Sequence, residues 1–364
     1  MAYRPFCLSR IGASHVKRGL PCQDYSEIHA ACGIAAAVAA DGHGNRRHFR
    51  SDKGAEMACK IALNEIFRSD WASIDPDGME VLLDDLKLRI VEEWERSVRA
   101  DLRRRPFTEE ELEEAKNVLT EEQYERLTDG RDVPVAYGST LLAAITFPGG
   151  WAAIQIGDGA CCLISADGSY SWPMPESLVN EGNRTASLCM PSPMREFRHC
   201  FGEDLPAALI VYTDGIEKVF PSEGKEVMSL LHWIFKNELS GGEEREDNLK
   251  RTLDRLTGLS PAGDDLSAAG LINTEAEDHV PKQDRAAVSM ERERIRLRLL
   301  ETENTIAYNR QRLSEAEKQD GTRAEEIVRK LREILHRKEE EAEQLKMQLS
   351  AFDRERGEET DEVL

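Results

Sequence analysis

The sequence predicts an α+β fold followed by a helical tail with coiled-coil patterning. Three observations carry this. Short apolar runs of strand length fall at 33–40, 139–147, 151–156, 160–165, 207–212 and 267–272. Stretches with apolar residues at helical spacing lie between these runs in clusters, not in the strict alternation that a βαβ array requires. From residue 289 onward the chain is densely charged in both signs and carries apolar residues at heptad spacing.

Bulk properties narrow the class further. A length of 364 residues fits two or three domains. Apolar residues make up 40% and charged residues 32%, enough for a core with a heavily charged remainder. The net charge of −21, with Lys and Arg not gathered on one face, excludes nucleic acid and anionic membrane as expected partners. The opening Met-Ala-Tyr-Arg-Pro-Phe lacks the apolar region of a signal peptide, and no apolar stretch approaches the ~18 residues of a membrane span. The expectation is a cytoplasmic protein. Eight cysteines without a CxxC pair read as reduced core residues, and neither His nor Cys spacing fits a zinc site.

Taken in chain order, the run 34–40 reads as a buried strand. Residues 54–68 form a helix with Ala58, Ile61, Ala62, Ile66 and Phe67 on one stripe. Residues 79–102 repeat that pattern with Leu82, Leu83, Leu86, Ile90, Trp94 and Val98. Thr108 followed by Glu111 has capping-box spacing and starts a helical stretch over 108–127. Glu109 to Glu114 read as a solvated face, and the segment 107–132 also suits a flap over a cleft. Trp71, Trp94 and Trp233 are expected to pack helices. The folded domain spans 1–273, and a polar linker follows at 274–288. Residues 289–350 form the tail, with a seam of Ile295, Leu299, Ile306 and Leu313 that resumes at Ile327, Leu331, Ile334, Leu345 and Leu349. Asp320-Gly321 interrupts it, which allows a helical hairpin, a long helix with a stutter that dimerises, or a solvated single helix. Residues 351–364 are acidic and expected to fray.

The chemistry lies in acids at strand ends. An apolar run closes on Asp41-Gly42-His43-Gly44, another on Asp214-Gly215, and a third on Gly157-Asp158-Gly159. Asp264-Asp265 precede the run at 267–272, and Gln23-Asp24 follow a polar, basic loop. Asp-Gly alone is a common turn. Carboxylates from five such places gathered at sheet ends would repel one another, and hard divalent cations with oxygen ligands would relieve this. Oxygen-only ligation favours Mg²⁺ or Mn²⁺ over Zn²⁺. Two such ions roughly 4 Å apart can activate a water and clamp a phosphoryl group.

The ordered string Ser14-His15, Gln23-Asp24, Asp41-Gly42-His43-Gly44, Tyr137-Gly138-Ser139-Thr140, Gly157-Asp158-Gly159, Thr213-Asp214-Gly215 and Gly263-Asp264-Asp265-Leu266-Ser267 resembles the metal-dependent protein phosphatase (protein phosphatase 2C) family in its compact bacterial form. The resemblance spans about residues 7–272. It implies a four-layer α-β-β-α sandwich of two antiparallel sheets flanked by helices, with the metals in a cleft at one end. By the same resemblance Asp41 bridges two Mn²⁺ or Mg²⁺ ions, and Gly42 offers its carbonyl to one of them. Asp24 would hold the water shell of the first metal, while Asp214 and Asp264 complete the shell of the other. Asp158 would serve a third, weaker ion. His43 corresponds to the general acid, with a turn histidine at the surface as the competing reading.

Three departures stand out. The family's phosphate-binding arginine, five residues before Asp24, is replaced by Gly19; Arg18 is the first choice of substitute, ahead of Lys17 and His15. Gln23 stands where many members have Glu. Lys218, four residues after Asp214, stands where many members have an acid for the third metal, and its charge should weaken that site.

The implied activity is hydrolysis of phosphoserine and phosphothreonine in proteins. Two rivals remain: a catalytically weak pseudophosphatase that acts as a scaffold, and a metal-dependent hydrolase of a small phosphorylated metabolite. The expected partners are a phosphorylated protein substrate and a cognate Ser/Thr kinase system. Homodimerisation or partner docking is expected through the coiled coil.

Overall fold

The computed structural model describes residues 3–71, 76–166, 168–175, 177, 185–220, 225–279 and 322–361, with scattered positions between 299 and 317. The chain divides into two compact units, Met1–Val280 and Pro281–Leu364.

The first unit is built on two five-stranded antiparallel sheets. One runs β1 (Tyr3–Arg10), β10 (Leu266–Asn273), β9 (Ala208–Tyr212), β6 (Ala160–Ile164), β7 (Tyr170–Ser171). The other runs β2 (Tyr25–Ala31), β3 (Ile34–Ala40), β4 (Leu141–Phe147), β5 (Gly150–Ile156), β8 (Arg198–Gly202). Strand alternation decides how they stack. Ala35, Ala37 and Ala39 of β3 face inward, where they meet Leu209, Val211, Ala269 and Leu271 of the opposite sheet. Ala36, Val38 and Ala40 face outward onto α2 (Ser51–Arg68) and α3 (Pro76–Arg104). On the far side α8 (Lys225–Ser240) contacts β10 and α9 (Arg245–Leu259) contacts β1. The result is the α-β-β-α sandwich that the resemblance implies.

All six runs read as strands form strands. Four further strands, β1, β2, β7 and β8, were not legible as apolar runs. The helical stretch over 108–127 is two helices, α4 (Glu109–Lys116) and α5 (Glu121–Thr128), each opened by a capping box: Thr108 with Glu111, and Thr120 with Gln123. Residues 117–120 separate them. A short α6 (Val133–Ala136) then leads into β4. Arg50 fastens this insert: its guanidinium forks onto Glu111 with two 2.7 Å hydrogen bonds and also donates to the Tyr137 hydroxyl and the Arg105 and Pro106 carbonyls. Glu111 is thus an anchor, not part of a purely solvated face. All eight cysteines are free thiols, and Cys32, the exposed one, sits with Gly33 in the left-handed turn joining β2 to β3.

In the second unit a long helix, Thr322–Asp361, continues past residue 350, where the sequence reading ended the tail. It runs against the helical positions before residue 317. Lys346 pairs with Glu303, Arg310 with Glu339, and Arg332 with Glu317. Each step of one heptad forward on one side is one heptad back on the other, the geometry of an antiparallel hairpin. Ile306, Leu335 and Ala342 share its core, with Leu299 and Leu313 against them. Leu331 and Leu345 are buried as expected, but Ile327 is 39% exposed and Ile334 half-buried; Leu335 takes the seam position. Ile295, Asp320-Gly321, the linker beyond His279 and the side chain of Leu349 lie outside the described residues.

Candidate active site at the acid-bearing rim

Strand register brings the acids to one end of the sandwich. Tyr25 pairs with Ala40, so Asp24 and Asp41 are neighbours across that pair. Leu141 pairs with Ile156, which places the β5–β6 turn and its Asp158 at the same rim. Ala160 pairs with Tyr212 and Arg10 with Leu266, adding Asp214 and Asp264.

Asp41, Asp158 and Asp214 each present a carboxylate oxygen, and these oxygens lie within 4.8 Å of one another. Local hydrogen bonds hold each acid. The Asp41 amide donates to Thr140 Oγ1 at 2.8 Å, and the Thr140 amide donates to the Asp41 carbonyl at 2.9 Å. Thr185 Oγ1 donates to Asp158 Oδ2 at 2.6 Å. Asp24 lies deeper, 5% exposed, and accepts from Thr213 Oγ1 at 2.7 Å. Asp264 does not join the group of three. Its Oδ2 accepts from Lys218 Nζ at 2.6 Å, and that ammonium lies 2.7 Å from Asp214 Oδ2. The turn after Asp41 requires glycine: the Gly42 amide donates to the Gln23 carbonyl at 3.1 Å, and a Cβ at Gly42 would stand 2.6 Å from that oxygen.

Burial and mutual repulsion disfavour charge at this rim. Burial pushes the Asp41 carboxyl well above its usual range, and Asp24, Asp214, Asp264 and Asp158 push it further. Burial and then Asp265 raise Asp24. Burial and Asp158 lift Asp214 to about 6 against the pull of Lys218. Asp158 Oδ1 is buried with no hydrogen-bond partner. An all-oxygen donor set, mutual repulsion and an orphaned carboxylate oxygen together fit a hard divalent cation.

His43 stands beside the acids. Its amide donates to the Gly138 carbonyl at 3.1 Å, and its ring meets His48 edge-on with centroids 4.8 Å apart. A Cβ at Gly138 would lie 2.4 Å from His48 and 2.8 Å from His43, so this glycine is what lets both rings in. Burial lowers His43 to about 4, with Asp158 opposing and Arg47 assisting. His43 also walls a cavity of about 240 Å³ with Arg47, Leu119, Leu127, Val135 and Met190. Leu119, Leu127 and Asp132 bring the segment 107–132 to the wall of this cavity.

The phosphate-binding candidates separate. Arg18 is exposed at the end of α1 (Ala13–Arg18), its Nε donating to the Ser14 carbonyl at 3.3 Å. His15 is buried, its Nδ1 2.9 Å from Asp265 Oδ2. Asp265, quoted in the sequence motif but given no role there, ties the rim together by accepting from the Gly12 and Gln23 amides at 2.6 Å each. Burial alone would raise its carboxyl; the donors of His15, Gly12 and Gln23 outweigh that and hold it below the usual range. Thr140, Thr185 and Thr213 are the other positioning residues that the sequence reading missed. Thr140 and Thr213 fall inside quoted motifs, whereas nothing near Thr185 signals its role.

Two antiparallel sheets between helical layers, with acids collected at one rim, are the fold and site that the resemblance to the protein phosphatase 2C family implies. The family model described as "Protein phosphatase 2C" matches residues 11–254, and the chain belongs to that family. No curated protein sequence matches the chain. Among solved structures it is similar to the Mycobacterium tuberculosis serine/threonine phosphatase PstP/Ppp at 14% identity, covering 75% of this chain and 99% of that one with a TM-score of 0.43. It is similar to the S. agalactiae serine/threonine phosphatase at 15% identity, 74% and 99% coverage and a TM-score of 0.45. It is also similar to PppA of Pseudomonas aeruginosa at 16% identity, 75% and 98% coverage and a TM-score of 0.43. Family membership rests on the family match, not on these likenesses.

Proposed function

We propose that this chain hydrolyses phosphoserine and phosphothreonine in proteins, using Mn²⁺ or Mg²⁺ held at the acid-bearing rim. The observation that carries the reading is the convergence of Asp41, Asp158 and Asp214 from three separate turns. Asp41 would hold both ions and the Gly42 carbonyl one of them, Asp24 would hold metal-bound water, and Asp214 and Asp264 would complete one shell. Asp158 would serve a third, weaker ion. Two bound ions supply an activated water and charge neutralisation for in-line attack on phosphorus.

The chain's own residues do the rest. Thr140 and Thr185 fix the orientation of Asp41 and Asp158. His43 would protonate the leaving serine or threonine oxygen. Burial keeps its ring neutral at neutral pH, and an arriving phosphate dianion pulls the other way, toward the protonated form. Arg18 is the cation of the α1 loop that would meet the phosphate. The cavity beside His43, walled by the helical insert, supports a peptide substrate over a small ester because it offers room next to the reacting group. The hairpin would dock a partner, with a Ser/Thr kinase system as the natural counterpart.

The test is turnover of p-nitrophenyl phosphate and a phosphothreonine peptide with Mn²⁺, Mg²⁺ or chelator, in wild type and Asp41→Asn. Metal-dependent turnover that the substitution abolishes is the expected result. A folded protein with no turnover under any metal would instead support a scaffold with a silent site. The contact of Lys218 with Asp214 and Asp264 is the observation that keeps that second reading alive.

A further inference from the structure

Lys218 brings a fixed positive charge into the acid-bearing rim. Its Nζ lies 2.7 Å from Asp214 Oδ2 and 2.6 Å from Asp264 Oδ2. Asp264 Oδ1 already accepts from the Asp265 amide at 3.1 Å, so the ammonium covers the oxygen that remains. Asp214 and Lys218 are the two ends of α7 (Asp214–Lys218), one helical turn apart, so local geometry enforces their contact. The side chain is 42% exposed, which leaves its flexible stem a route into solvent.

We propose that Lys218 is a resident counter-ion of the site. It holds Asp214 and Asp264 in the metal-free protein, and a divalent cation must displace it before taking both carboxylates. This rests on the reading of Asp214 and Asp264 as metal ligands. An ammonium that stayed in place would share their oxygens with the ion and repel it. Filling this position is therefore a competition, and its occupancy follows the free Mn²⁺ or Mg²⁺ concentration over a range in which an uncontested pair of acids would already be filled. The same contact stabilises the rim without metal, because an ammonium between Asp214 and Asp264 neutralises part of their repulsion.

The experiment measures Mn²⁺ binding by titration calorimetry and thermal unfolding in chelator, on the full chain. Wild type, Lys218→Met, Lys218→Arg and Asp214→Asn are compared. Lys218→Met should bind its weaker Mn²⁺ about tenfold tighter, the scale of one nearby charge removed at a partly exposed site. In chelator it should melt below wild type, and Mn²⁺ should close that gap. Lys218→Arg keeps the charge and should bind no tighter than wild type, which tests the proposal even if Lys218→Met fails to fold. Equal or weaker Mn²⁺ affinity in Lys218→Met overturns the proposal, as does tighter binding in Lys218→Arg. Loss of binding in Asp214→Asn then shows that the site reading itself survives. Absence of Mn²⁺ binding in wild type and in Lys218→Met alike overturns both.

Discussion

At the scale of residues, the rim stores unfavourable charge, and its sign fixes the pH behaviour. Asp41, Asp24 and Asp214 are raised above ordinary carboxyl values, each first by burial. A raised folded value means that the folded state binds the proton more tightly than the unfolded one. The stabilisation is complete below the unfolded pKa and is lost as pH rises through the folded one. For Asp214 that loss runs from the ordinary carboxyl value up to about 6 and is complete just above it. In chelator, melting temperature should therefore fall as pH rises toward about 6, and saturating Mn²⁺ should flatten the profile; a metal-free protein with no such fall would contradict the assignment. Asp41→Asn should raise the melting temperature in chelator, because it removes a carboxyl that burial and the neighbouring acids disfavour, while abolishing turnover. Asp41, Asp158, Asp214 and Asp264 were legible because each lies at the end of an apolar run beside a glycine or a second acid, and Asp24 because it follows a polar, basic loop in family order. Their supports were not. Thr140 reaches Asp41 across 99 positions, Thr213 reaches Asp24 across 189, and Asp265 reaches Gly12 across 253. A threonine that far away leaves no local pattern to read.

At the scale of elements, legibility followed burial. Strands buried on both faces, such as β3 and β4, are continuous apolar runs. The missed β1 carries Arg4, Pro5, Ser9 and Arg10 because it is an edge strand, where Pro costs no ladder bond, and β2 is only half-buried. The insert of α4 to α6 hangs on Arg50. Arg50→Ala removes a forked ion pair and leaves Glu111 without its partner, at a cost of about 2 kcal/mol. Proteolysis should then cut first within 105–136; an unchanged cleavage pattern would show that the insert is held by packing alone. Leu119 walls the cavity beside His43 from the loop between α4 and α5. Leu119→Asp should lower kcat/KM for the phosphothreonine peptide about tenfold, a loss near 1.4 kcal/mol, and leave p-nitrophenyl phosphate within about twofold. Equal losses on both substrates would mean that the wall supports the fold, not the substrate.

At the scale of the whole molecule, the tail closes its seam on itself through three heptad-spaced ion pairs. The full chain and a truncation ending near residue 275 should therefore both sediment as monomers, which leaves the hairpin's outer face for a partner. A dimer mass for the full chain alone would mean that the hairpin opens to pair with a second copy. The pairing of β1 with β10 has a consequence for synthesis. Strands near the two ends of the domain are neighbours, so one sheet cannot be completed until residue 273 has left the ribosome. Asp24, Asp41, Asp158 and Asp214 are translated before Asp264, and before Asp265, which clasps Gly12 and Gln23. The acid-bearing rim is therefore completed only when the end of the domain pairs with its beginning.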